Sequence, residues 1–178
     1  MADDAPWYEA ALLVGVTNAL NVVADAPLES LEPASPSAEA QTVFTEIRAF
    51  YDRADVPVAF RRVASDPGYL ADLWGATRRV FADKALTRRH KEALAFAVSV
   101  TTRSSFGTAF HLAEMRRLGV GERGVMEVLG VTQMFSSYTK IADTLQLEPD
   151  MDHIAAADPS PAPGGTSPQP GTRPPEAP

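Results

Sequence analysis

Two ionisable residues sit inside otherwise apolar stretches of this 178-residue chain: Glu92, followed by Ala93, Leu94, Ala95 and Phe96, and His111, between Phe110 and Leu112. A buried carboxylate needs a partner, and a Glu–His pair formed across two adjacent helices would satisfy both groups. An imidazole with an ordinary pKa of about 6.5 beside a carboxylate suits general acid–base work; the plainer reading is a polar pair that fastens two helices. At the helical repeat, Ser104, Gly107 and His111 share one face, and Gly107 leaves a notch in it. Ser104, Gly107, Thr108 and, from the last helix, Tyr138 are the candidate substrate-binding residues around Glu92 and His111, with Tyr138 and Ser137 facing either core or pocket. Ser104 falls about two turns, roughly 10 Å, from His111. That is too far for the hydrogen bond that activates a serine nucleophile, so Ser104 reads as a helix N-cap. His90 and His153 read as surface residues, no HxxxH spacing occurs, and neither a metal nor another cofactor is expected.

The elements that must position these groups are helices. Apolar residues recur at helical spacing, no Asn-Gly or Asp-Gly hairpin turn appears, and the fold class predicted is all-α. A first helix runs from Trp7 to about Ala24 with Tyr8, Leu12, Leu13, Val16, Leu20 and Val23 on its apolar face, ending at Pro27. After a proline-punctuated connector, Ser37 caps a helix carrying Val43, Phe44, Ile47 and Phe50, and Val58 to Ala64 forms a brief one. Asp66-Pro67 starts a helix that buries Leu70, Leu73, Trp74, Val80 and Phe81. Thr87 caps a central helix, Ser104 to Leu118 forms the next with Gly119 as its terminator, and Glu122 to Leu145 forms the last, with a joint expected at Gly130. The stretch 16–25 faintly echoes 134–143, which helix grammar alone explains adequately. Residues 1–36 are expected as an N-terminal helix and connector, 37–150 as the helical domain, and 151–178 as a disordered tail, since eight of the fifteen prolines follow Asp158.

Composition narrows the function. Sixteen Lys+Arg against 23 Asp+Glu, a formal charge of −7, leave no clustered basic footprint for nucleic acid. The pairs Arg61-Arg62, Arg78-Arg79 and Arg116-Arg117 read as solvated helix faces. The absence of cysteine removes disulfides, thiolate metal sites and thiol redox cycles. The acidic start Met1-Ala2-Asp3-Asp4 is unlike a secretory signal, no apolar run is read as approaching the roughly 20 residues of a membrane span, and a soluble, cytoplasmic protein without membrane partners is expected.

The run Lys91-Glu92-Ala93-Leu94-Ala95-Phe96-Ala97-Val98-Ser99, then Ser104-Ser105-Phe106-Gly107-Thr108-Ala109-Phe110-His111, then Arg117-Leu118-Gly119, resembles the alkylhydroperoxidase D-like / carboxymuconolactone decarboxylase superfamily. The resemblance takes in Phe60 to Leu70 and Leu73-Trp74 upstream, and covers roughly residues 40–150. It implies an alkylhydroperoxidase D-like helical domain in which Glu92 and His111 occupy the glutamate and histidine positions of the peroxidase branch. The two positions of that branch's Cys-x-x-Cys motif hold Ser104 and Gly107, a degenerate form of it. In that branch a thiolate attacks the peroxide, a second thiol resolves the product, and a lipoylated partner recharges the pair. Serine and glycine can do neither step, so neither thiol peroxidase activity nor a lipoylated redox partner is expected. The γ-carboxymuconolactone decarboxylases, cofactor-free lyases, are similar in keeping a Glu and a His. Group I haloacid dehalogenases are similar around Pro67 and Trp74, but their water-activating aspartate has no counterpart here. The resemblance also implies a homo-oligomer. The reading is a cofactor-free acid–base enzyme (a lyase or hydrolase) or a binder of a small organic molecule through Glu92 and His111; the alternatives are a non-catalytic oligomeric scaffold and a dehalogenase-like hydrolase. An enclosed cavity beside Gly107 with His111 pointing into it favours the former, and that space filled by Phe106, Phe110 or a neighbouring helix favours the scaffold.

Overall fold

A computed structural model describes residues 4–27, 33 and 35–147, and these contain seven helices and no strand. The tail 151–178, His153 and much of the connector before Pro36 lie outside the described residues. The chain divides into a unit Met1–Lys140, which holds the first six helices and most of the seventh, and a unit Ile141–Pro178 that contains the last residues of the seventh helix.

Helix boundaries follow from local hydrogen bonding. Helix α1 (Ala5–Asp25) has Pro6 in its first turn and ends before Pro27. Helix α2 (Ala38–Tyr51) is capped by Ser37, whose hydroxyl accepts from the Ala40 amide, and ends at Asp52 in the left-handed conformation. Helix α3 (Val58–Arg62) is a short turn. Asp66 accepts from the Tyr69 amide at 3.0 Å to open α4 (Pro67–Phe81), and Thr87 opens α5 (Arg88–Thr101). Helix α6 (Ser105–Arg117) runs from the Ser104 cap to Gly119, where a φ of +82° suits a residue without Cβ. Helix α7 (Glu122–Leu145) is continuous through Gly130, with no joint there.

Helices α5 and α6 pack as an antiparallel hairpin, and α1 lies against both as well as against α3 and α4. Leu20, Phe44, Ile47, Tyr51, Phe60 and Trp74 form the main core, while Leu13, Val80, Phe81 and Ala95 join α1 to α4 and α5. Trp74 is buried and its indole N–H donates to Glu46 Oε2 at 2.9 Å.

Several sequence expectations need correction here. The buried face of α1 is Leu13, Thr17, Leu20, Asn21 and Ala24, while Tyr8 and Leu12 are exposed. The helix is rotated because Asn21 bonds Ser99 on α5 and because Arg62 Nη1 donates to the carbonyls of Val23, Ala24 and Ala26. Arg62 therefore satisfies the open carbonyls at the end of α1 and is not a solvated face. By length and composition alone α1 is also long and apolar enough to cross a membrane, contrary to the reading of the sequence. In this fold its buried stripe includes Thr17 and Asn21, and its first turns carry the ion pair of Glu9 with Lys91. On α7, Val125 is buried and, with Val128 and Leu129, packs on Phe96 and Met115, whereas Val131, Met134, Phe135 and Tyr138 are exposed. Tyr138 is thus exposed and outside the core, because the packing of α7 against the body ends at Leu129.

Candidate functional site

Glu92 and His111 meet across the α5–α6 hairpin, with Glu92 Oε2 and His111 Nδ1 2.7 Å apart and both side chains buried. A carboxylate gripped by an arginine is an acceptor only, so Nδ1 carries the proton of this bond. The ring is fixed on both faces of its environment: it stacks on Phe81 at 5.8 Å with an interplanar angle of 5°, and meets Phe110 edge-on. Glu92 Oε1 is taken by Arg88 Nε at 2.6 Å, one helical turn earlier.

Arg88 extends the pair into a network. Its Nη2 lies 3.5 Å from Glu114 Oε2, and Glu114 is held by Arg117 through a bond of 2.7 Å. The Arg88 guanidinium also lies over the Phe50 ring at 4.3 Å and beside those of Tyr51 and Phe81. Two carboxylates and two guanidiniums therefore offset each other around the imidazole, which is the condition for keeping charges out of water. The hydrogen bond from Arg117 to Glu114 raises the guanidinium's pKa above its ordinary value. Burial, reinforced by the charges of Glu92 and Glu114, pushes the Tyr51 phenol far above its ordinary value, so it stays neutral.

The notch at Gly107 is closed. A Cβ built there would collide with Asn21 Oδ1 and Ser99 Oγ, so the amide of Asn21 on α1 already occupies the space that the missing side chain leaves. Asn21 Nδ2 donates to Ser99 Oγ at 3.0 Å and Ser99 Oγ donates to the Ala95 carbonyl at 2.8 Å. Ser104 is buried and its hydroxyl accepts from the Gly107 amide at 2.9 Å, the geometry of an N-cap. Thr108, the next residue on α6, is half-buried. Of the residues singled out in the sequence, the structure brings Glu92 and His111 together, places Ser104 and Gly107 at the buried start of α6, and leaves Tyr138 exposed on α7.

Residues 67–147 match the model of the carboxymuconolactone decarboxylase family. The crystal structure of the alkylhydroperoxidase AhpD core from Rhodospirillum rubrum is similar at 25% identity and a TM-score of 0.61, over 66% of this chain and 87% of that one. The helical domain is of the alkylhydroperoxidase D-like / carboxymuconolactone decarboxylase superfamily. No curated protein matches the chain. Within this alkylhydroperoxidase D-like domain, the family match starts at the first residue of α4 and takes in α4 to α7, and with them Glu92 and His111, whereas Asn21 comes from outside it.

Sequence reasoning missed Asn21, Arg88, Glu114 and Lys91. Arg88 with Glu92 and Glu114 with Arg117 carry a signal, opposite charges spaced four and three residues apart on one helix. Lys91, the neighbour of Glu92 in sequence, is fully buried, because its ammonium reaches the Ala82 carbonyl and Glu9.

Proposed function

We propose that this protein is an alkylhydroperoxidase D-like helical protein that does not reduce peroxides through thiols, and that its Glu92–His111 pair is a buried clasp between α5 and α6 in a non-catalytic, self-associating scaffold. The observation that carries this reading is the closed notch: Asn21 fills the space beside Gly107, leaving no room there for a substrate. Both oxygens of Glu92 are also committed, one to Arg88 and one to His111, so using the carboxylate as a base would mean breaking a buried ion pair. The chain has no cysteine to attack a peroxide or to resolve a product. A second copy of the chain is the partner proposed for the exposed apolar stripe of α7.

One observation favours the other reading, a cofactor-free acid–base enzyme or binder: a carboxylate and an imidazole 2.7 Å apart among aromatic rings is a suitable proton relay. His111→Ala separates the two. A clasp loses about 3–5 kcal/mol in denaturant unfolding, the cost of leaving Glu92 without one of its partners, with small-molecule binding in an unbiased metabolite screen unchanged. A relay loses turnover or ligand binding while the melting temperature barely moves, and that outcome would overturn the clasp.

A further inference from the structure

We propose that the cleft between α1, α4 and α5 is a binding site for a small organic anion, with the anionic group at a basic rim and an apolar or aromatic body against the wall. The cleft has a volume of about 440 Å³, within the range of small-molecule pockets. Leu12, Val16 and Val80 line its apolar part, and neither Glu92 nor His111 borders it, so the site stands apart from the clasp.

The charge at this cleft is opposite to that of the chain. Arg79, Lys84 and Lys91 line it against one carboxylate, Glu9, giving a local excess of two positive charges on a chain of formal charge −7. The carboxylate is already committed: Glu9 Oε2 lies 2.9 Å from Lys91 Nζ, and its two oxygens accept from the amides of Ala85 and Leu86. These bonds leave Glu9 little capacity to neutralise the two remaining cations. Arg79 and Lys84 are exposed, and no ion pair engages either among the described residues. Lys91 is fully buried and donates to the Ala82 carbonyl and to Glu9, which uses two of its three N–H groups. A fixed ammonium in the lining, two free cations at the rim and an aliphatic wall complement an amphipathic anion. They disfavour a neutral molecule of the same shape, which leaves the rim unpaired, and a small inorganic anion, which leaves the wall wet.

The test uses the full chain, 2-naphthoate as the probe and 2-naphthamide as its neutral counterpart, followed by calorimetry and by methyl chemical shifts. Expected are saturable one-to-one binding of 2-naphthoate, affinity for the amide weaker by roughly ten-fold or more, and shifts at Leu12, Val16 and Val80. The double variant Arg79→Gln/Lys84→Gln, which changes only exposed side chains, should weaken the carboxylate by a similar factor and leave the amide unchanged. Equal affinity for acid and amide, indifference to the double variant, absence of saturable binding at millimolar probe, or shifts centred on Met134 and Phe135 of α7 would each overturn the assignment.

Discussion

Gly107 is the residue at which the fold and the lost chemistry meet. Its missing side chain is matched by the amide of Asn21, so Gly107→Ala should cost about 1–3 kcal/mol by overpacking, measured by urea unfolding. Because Asn21 is the nearer of the two side chains in the way, Ser99 being the other, adding Asn21→Ala should return part of that loss, and the double variant should be less destabilised than the sum of the singles. Strict additivity would mean that Asn21 does not fill the notch. The same collision bears on a designed return of thiol chemistry: Ser104→Cys with Gly107→Cys puts the Cβ that must carry the second thiol against Asn21 Oδ1 and Ser99 Oγ. The glycine itself was legible in the sequence as a notch on the His111 face, but its occupant was not. Asn21 is 78 residues from Ser99, and nothing local marks a polar residue of an apolar helix as the one that turns inward.

At the scale of the element, helix starts were readable because the groups that make them lie within three residues of each other: Ser37 with Ala40, Asp66 with Tyr69, Ser104 with Gly107. The orientation of α1 was not, since it is set by Arg62, Ser99 and Lys91 from distant parts of the chain. The Glu9–Lys91 pair gives that orientation a pH dependence. Bonds from Lys91 and from the Leu86 amide hold the Glu9 carboxyl below its ordinary value of 4.5. A carboxyl lowered by folding contributes stability that is complete above its unfolded value and is lost as pH falls through its folded one. Glu9→Gln should therefore lower the melting temperature at neutral pH and flatten the acid limb below pH 4.5. If wild type and variant lose stability in parallel down that limb, the pair does not hold α1.

For the whole molecule, the decisive feature is an apolar surface that the described residues do not cover. Val131, Met134, Phe135 and Tyr138 follow one another at helical spacing on α7 and are each more than half exposed, while Val125, two turns earlier, is buried against Phe96 and Met115. Stripes of this kind on soluble domains are ordinarily covered by a partner, and a second copy presents the same stripe, which makes a two-fold self-complementary contact possible. The excess of helical spacing on α7 over what the core needs was visible in the sequence; which of those residues the body itself would bury was not, since that depends on where Phe96 and Met115 end up. Light scattering of the full chain should give more than one copy per particle at micromolar concentration. Met134→Glu with Phe135→Glu should shift it to one copy without lowering the helical circular dichroism or the melting temperature of the body, because neither side chain belongs to the core. A single copy in the unaltered protein, or a double variant that remains associated, would remove α7 as the self-association face and leave the stripe to another partner.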